Sequence, residues 1–174
     1  YKTNLNKDFY ETFVLNPAGI IAASSNENNI GKIEFGVDYF TYGKEGPYVK
    51  DVYMDENTGE YSLAFAAPIL KKRSGKFLGV LVIRFNANKL NEITTGKRSG
   101  IKEDTGTFLR RGKTSEAYIV NKNFQLITGS RFKEEAMLSQ LVNTEPVAAA
   151  LHSGKEVVGV YKNYILYGCT QIRC

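Results

Sequence analysis

The stretch Phe77-Leu-Gly-Val-Leu-Val-Ile-Arg-Phe-Asn86 constrains this chain most, because it places an arginine inside an otherwise apolar strand. Eight of its ten residues are apolar or Gly, the composition of a buried strand. A guanidinium there must find acceptors or anions, since an unpaired buried charge is costly. Two readings follow for Arg84. It pairs with a neighbouring carboxylate, or packs its stem and sends its head to water. Alternatively it faces a cavity and helps to hold an anionic or carboxylate-bearing ligand.

The segments around that strand read as an antiparallel sheet. Phe13 to Ser24 has two apolar runs flanking Asn16-Pro-Ala-Gly19, a hairpin with a Pro-Gly turn. Ser24 to Asn29 is a polar loop. Tyr48 to Met54 reads as a strand, Asp55 to Gly59 as its turn, and Tyr61 to Pro68 as the returning strand. Lys71 to Lys76 is a second hairpin turn, and Asn88 to Thr95 a short helix with Leu90 and Ile93 at i, i+3. Thr3 to Phe9 reads as a helix end. Five antiparallel strands with short helical pieces give an α+β domain on one curved sheet.

Gly96 to Arg111 is rich in Gly and charge and reads as a linker. A second unit then shows strands at Ala117–Val120 and Phe124–Thr128 around Asn121-Lys-Asn123. A helix from Thr144 to His152 follows, with Thr144 as N-cap, Pro146 in its first turn and Gly154 beyond its end. Strands at Val157–Tyr161 and Ile165–Cys169 close the chain. The shared order of elements points to a duplicated module, with domains at 1–95 and 96–174.

Composition removes several functions. The chain has 174 residues, 43% hydrophobic and 24% charged, and no apolar run long enough to span a membrane. Its net charge of +5 comes from dispersed cations, with clusters at Lys71-Lys-Arg73 and Arg110 to Lys113, and no nucleic-acid recognition motif accompanies them. Cys169 and Cys174 would lie about 16 Å apart on a continuous strand, beyond disulfide reach unless the chain bends. Gly106 to Thr114 has the wrong spacing for a phosphate loop. Asp55 to Gly59 lacks the acidic positions of a calcium loop. His152 has no Ser or Cys partner for a triad, and Glu134-Glu135 sit in a polar segment. No catalytic residue, metal site or cofactor is expected.

Taken in order, these pieces resemble a double Cache sensor region, the PAS-like α+β modules outside the membrane in histidine kinases and chemoreceptors. The resemblance rests on Phe13 to Ser25 followed by Asn29-Ile-Gly31, on Ala66-Ala-Pro-Ile69, and on Gly75-Lys-Phe-Leu-Gly-Val-Leu81. In the second half it rests on Gly112 to Asn121 and Leu126 to Phe132. It implies tandem PAS-like modules, each a curved antiparallel sheet with flanking helices, the membrane-proximal one stopping before its closing strand. It further implies an extracytoplasmic, non-enzymatic ligand sensor that dimerises in the full-length receptor and meets the membrane only through flanking helices. The alternative is a ligand-free structural or dimerising module.

In relatives that bind amino acids, the distal module offers an Arg-x-Trp-Tyr helix, a strand Tyr and an Asp on the last strand. Here Asp38-Tyr39-Phe40 stands at the helix, Tyr48 matches the strand Tyr, and Arg84 replaces the Asp. Period-two alternation places Lys50 on the face of Tyr48. Tyr39, Phe40, Tyr48, Lys50 and Arg84 are thus the expected ligand residues, and their charge points to a small anion such as a carboxylate.

Overall fold

The computed structural model describes residues 9–56, 58–95, 116–130, 132–133, 135–162, 164 and 172–173. The chain divides into two compact units, Tyr1–Ala87 and Asn88–Cys174.

In the first unit the expected sheet forms, with five antiparallel strands in the order β2-β1-β5-β4-β3. These are β1 (Phe9–Leu15), β2 (Ile21–Ser24), β3 (Tyr48–Asp55), β4 (Glu60–Leu70) and β5 (Phe77–Asn86). Asn16 closes the β1–β2 hairpin by accepting from the amides of Ala18 and Ile20. A one-turn helix α1 (Asp38–Thr41) lies between β2 and β3. One face of the sheet carries the core: Phe13 and Leu15 of β1, Ile21 of β2, Ala64 and Ala66 of β4, and Val80 and Val82 of β5, covered by Tyr39 and Phe40 of α1. Gly43 sets how closely the end of α1 approaches the sheet, since a Cβ there would lie 2.1 Å from the Tyr39 carbonyl oxygen and 2.9 Å from Ala66 Cβ.

The register shifts at four places: at Val14–Leu15 in the β1–β2 pair, at Ile69–Leu70 in the β4–β5 pair, and at two bulges nearer the buried charges. Phe9 pairs with Phe85 but Glu11 with Arg84, so Tyr10 is a bulge in β1. Lys50 pairs with Ala64 but Tyr53 with Ser62, which puts a bulge at Asp51–Val52 in β3. An extra residue shifts the phase of everything beyond it.

The second unit is less regular. It holds α2 (Asn88–Thr95), α3 (Glu145–Ser153) and a two-stranded pair, β6 (Val158–Gly159) with β7 (Ile172–Arg173). The strands expected at Ala117–Val120 and Phe124–Thr128 are reduced to the bridges Val120–Leu126 and Gln125–Leu141. Backbone bonds from Asn121 N to Gln125 O and from Ile127 N to Ile119 O, both at 3.0 Å, still join the two segments, and side chains supplement them. Asn121 Oδ1 accepts from the amides of Asn123 and Gln125, both at 2.9 Å, and Thr128 Oγ1 accepts from Ile119 N at 3.1 Å. Phe124 adopts φ 62° within that turn. A small core of Leu126, Ala136, Val142 and Val147 holds the unit.

The helix ends obey their sequence signals with one departure. Gly154 caps α3 in the left-handed conformation, as expected. Thr144 occupies the N-cap, yet its side chain makes no cap bond. Strand β6 pairs with Ile172–Arg173, and the strand expected at Ile165–Cys169 lies outside the described residues, as do the Gly96–Arg111 linker and both cysteines. The helix end expected at Thr3–Phe9 also falls there, except Phe9, which opens β1.

Candidate functional site

Arg84 is buried, 5% exposed, on the core face of β5. Its guanidinium is held by side chains from four elements. Nη1 donates to Glu11 Oε2 of β1 at 3.1 Å and lies 3.6 Å from Asp55 Oδ2 at the end of β3. Nη2 donates to Glu34 Oε1 at 3.2 Å and to the Tyr39 hydroxyl of α1 at 2.7 Å. Its Cζ lies 4.7 Å from the centroid of the Phe13 ring. Of the two readings of this residue, pairing with carboxylates is the one realised.

Each partner is itself positioned. Glu11, 1% exposed, accepts from Ser24 Oγ and Asn29 Nδ2 through Oε1, both at 2.7 Å. Asp55, 3% exposed, accepts from the Tyr10 hydroxyl. Glu34 is carried by a loop pinned to the first hairpin, where Ile21 N donates to Lys32 O at 2.9 Å and Glu34 N to Gly19 O at 2.8 Å. Tyr39 donates its proton to Glu34 Oε2 at 2.8 Å. Glu11 reaches this face by plain alternation with Phe13 and Leu15, whereas the β3 bulge brings Tyr53 and Asp55 onto the face that bears Lys50 and the β1 bulge lets Tyr10 reach Asp55.

Burial governs the ionisation of this cluster. It pushes the Tyr39 hydroxyl far above the usual tyrosine range, partly opposed by Arg84 and reinforced by Glu34. Burial does the same to Tyr53, again opposed by Arg84. Burial works against the charge on Arg84, but Tyr39, Tyr53 and Glu11 outweigh it, so its pKa is raised and it stays protonated.

The expected site residues separate into two sets. Tyr39 and Arg84 belong to the buried cluster. Tyr48 and Lys50 share the core face of β3, half-buried, with Tyr48 stacked at 5.0 Å on Tyr42. Lys50 Nζ lies 4.4 Å from the centroid of the Tyr53 ring and 5.5 Å from that of Tyr39. Phe40 is 1% exposed and packs in the core against Phe35, not toward a ligand. The expected preference for a small anion also loses its ground. Glu11, Glu34 and Asp55 lie within 3.6 Å of the Arg84 guanidinium, and Lys50 adds one further cation on that face, so three carboxylates stand against two cations.

Sequence reasoning missed Glu11, Glu34, Tyr53 and Asp55. Glu11 was detectable, since it shares the parity of Phe13 and Leu15 in an apolar strand. Asp55 and Tyr53 were hidden by the β3 bulge, and Glu34 by its place in an irregular loop. Two polar atoms of this face remain without a protein partner, the Tyr53 hydroxyl and Arg84 Nε. Among the described residues no group of His, Cys, Asp and Glu could hold a metal ion.

The second unit has a cleft of about 710 Å³ lined by Leu141, Asn143, Thr144, Glu145, Val160, Tyr161, Lys162 and Tyr164. Tyr164 donates to Glu116 Oε2 at 2.7 Å and lies 3.1 Å from Ser130 Oγ, which donates to Glu116 Oε1 at 2.6 Å.

No family model matches the sequence, and no curated protein matches it. Solved structures do. The extracellular domain of mmHK1S-Z2, named as a histidine kinase, is 12% identical, with a TM-score of 0.66 over 91% of this chain and 66% of that one. The sensor domain of the V. cholerae histidine kinase DctB is 15% identical, with a TM-score of 0.55 over 91% of this chain and 53% of that one. The ligand-binding domain of the Pseudomonas aeruginosa PAO1 amino acid chemoreceptor PctC, in complex with GABA, is 14% identical, with a TM-score of 0.55 over 76% of this chain and 54% of that one. The chain therefore spans between half and two thirds of the length of these structures. Among its described residues no helix is long and apolar enough to cross a membrane. At these identities the likeness is one of architecture, and the chain has the fold of the Cache-type extracellular sensor domains of chemoreceptors and histidine kinases.

Proposed function

We infer that this chain is the extracytoplasmic ligand-sensing part of a transmembrane receptor, a sensor histidine kinase by preference, with its ligand on the first unit. The tandem organisation of two PAS-like modules, the residues 1–95 being the membrane-distal one, is part of the same reading, as is dimerisation of the full receptor. The ligand would sit beside the Arg84 cluster, against Tyr48, Lys50 and Tyr53.

One observation carries this reading: Tyr53 and Arg84 keep buried donors without protein partners on one sheet face. Such an atom costs about 1–3 kcal/mol when nothing bonds it, and sites that recruit a ligand are where that cost recurs. Arg84 Nε only donates and the Tyr53 hydroxyl donates or accepts, so the ligand offers at least one acceptor. Three carboxylates lie close by, so the ligand carries no net negative charge; a zwitterion or an uncharged polar molecule fits. Binding would bias a conformational equilibrium that adjoining segments transmit.

A thermal-shift screen of the chain with amino acids, GABA, simple amides and dicarboxylates tests this. Zwitterionic or neutral compounds should raise the melting temperature and dicarboxylates should not. Tyr53→Phe should abolish the shift while leaving the unliganded chain as stable or slightly more so, because it removes an unbonded hydroxyl. A second reading, a ligand-free structural module, draws on the saturation of the Arg84 head by Glu11, Glu34 and Tyr39. A screen in which no compound shifts the melting temperature would decide for it.

A further inference from the structure

The cleft of the second unit, about 710 Å³ in volume, falls within the range of small-molecule sites, about 300–1,000 Å³. Tyr164 makes one fixed wall, since Glu116 and Ser130 hold its hydroxyl and its ring meets that of Tyr118 edge-on at 5.2 Å. Tyr161 makes another. Gly159 lets that ring lie on the backbone of β6, because a Cβ there would come 2.6 Å from Tyr161 Cε2. Leu141 and Val160 line the cleft yet are 59% and 71% exposed, two large apolar side chains with little cover. Thr144 lines it too, at the start of α3, and its Oγ1 is buried with no hydrogen-bond partner among the described residues. No cap bond fixes its rotamer, so the hydroxyl can turn toward an occupant. Lys162 adds an exposed cation and Glu145 an exposed carboxylate, and neither joins an ion pair among the described residues.

We propose that this cleft binds a small monocarboxylate with an apolar body, at a site separate from the Arg84 face. Thr144 Oγ1 donates to one carboxylate oxygen and Lys162 Nζ pairs with the group, aided by the positive end of the α3 dipole. The apolar body covers Leu141 and Val160 and lies against the Tyr161 ring. Burying those surfaces gives the occupant most of its affinity, while the unbonded hydroxyl selects an oxygen acceptor. Glu145 limits the charge, because a second carboxylate on the occupant would meet one already present, and like charges brought together are penalised. The proposal does not rest on the reading of the Arg84 face.

Titration of the isotope-labelled chain with hexanoate, followed by two-dimensional NMR, tests it. Amide shifts should concentrate at residues 141–145 and 160–162, and affinity should rise from acetate through butanoate to hexanoate as more apolar surface is covered. Hexanamide, which lacks the charge, and adipate, which doubles it, should both bind far more weakly. Thr144→Ala should weaken hexanoate binding about tenfold at an unchanged melting temperature, and Thr144→Ser should restore it. Lys162→Gln should weaken it severalfold and flatten its dependence on salt. Tyr53→Phe should leave hexanoate binding unchanged, which separates this site from the one on the first unit. Shifts confined to the first unit, equal binding of hexanoate and hexanamide, or binding that Thr144→Ala leaves intact overturns the proposal.

Discussion

The first unit buries charge on a five-stranded sheet, whereas the second supplements sparse backbone pairing with side-chain bonds. In the first, strand alternation sets a floor on which Glu11, Glu34, Asp55 and Tyr39 surround Arg84. In the second, Asn121 and Thr128 reinforce a turn that few backbone bonds hold. The difference teaches where each unit is fragile. A laddered sheet tolerates loss of a surface side chain but not of a buried counterion, while a side-chain-closed turn depends on single polar residues.

The sharpest break of that comparison is Arg84→Met, which leaves carboxylates facing one another in a buried place. It should cost about 3–5 kcal/mol of first-unit stability in denaturant unfolding, the usual penalty for removing one partner of a buried ion pair. A cost below that of an ordinary surface change would mean the carboxylates already have other cations. The phenols give a second probe. Folding holds Tyr39 and Tyr53 protonated beyond their ordinary value of 10.0, chiefly through burial. Stability from these groups is therefore complete below about pH 10 and declines as pH rises through that value. Tyrosinate absorbance at alkaline pH should rise first from exposed tyrosines, with the buried ones appearing only together with unfolding.

Asn121→Ala probes the second unit. It strips the acceptor from two backbone amides and should cost about 2 kcal/mol, measured by thermal or denaturant unfolding. Thr144→Ala should do almost nothing, within about 0.5 kcal/mol, although removing an N-cap ordinarily costs about 1 kcal/mol. Its Oγ1 makes no cap bond and is buried without a partner, so there is little to lose.

Much of the first unit was legible because period-two alternation and turn residues act locally. The β1–β2 hairpin, both later hairpins and α2 follow from such signals, as does the shared face of Tyr48 and Lys50. What escaped was set by distant partners. Arg84 announced a buried charge, but no spacing in the chain tells that Glu34, fifty residues away, would meet it. The second unit misled because Phe124 and Thr128 have strand-forming composition, yet Asn121 offers its neighbours a nearer acceptor than a facing strand does. Thr144 shows the reverse case, a residue of the right type at the right place whose hydroxyl is not used.

The inserted residues at Asp51–Val52 make β3 a two-phase ruler. Upstream of them the even positions Tyr48 and Lys50 look inward, and downstream the odd positions Tyr53 and Asp55 do. Trimming one of the two would restore plain alternation and leave Tyr48, Lys50, Tyr53 and Asp55 on the same inner face, whereas trimming a residue elsewhere in β3 would turn part of the strand over. The bulge is thus a spare residue: its loss spares the inner face, while the same loss a few positions away would exchange that face's side chains and leave the hydrophobic floor of β1 and β5 in place.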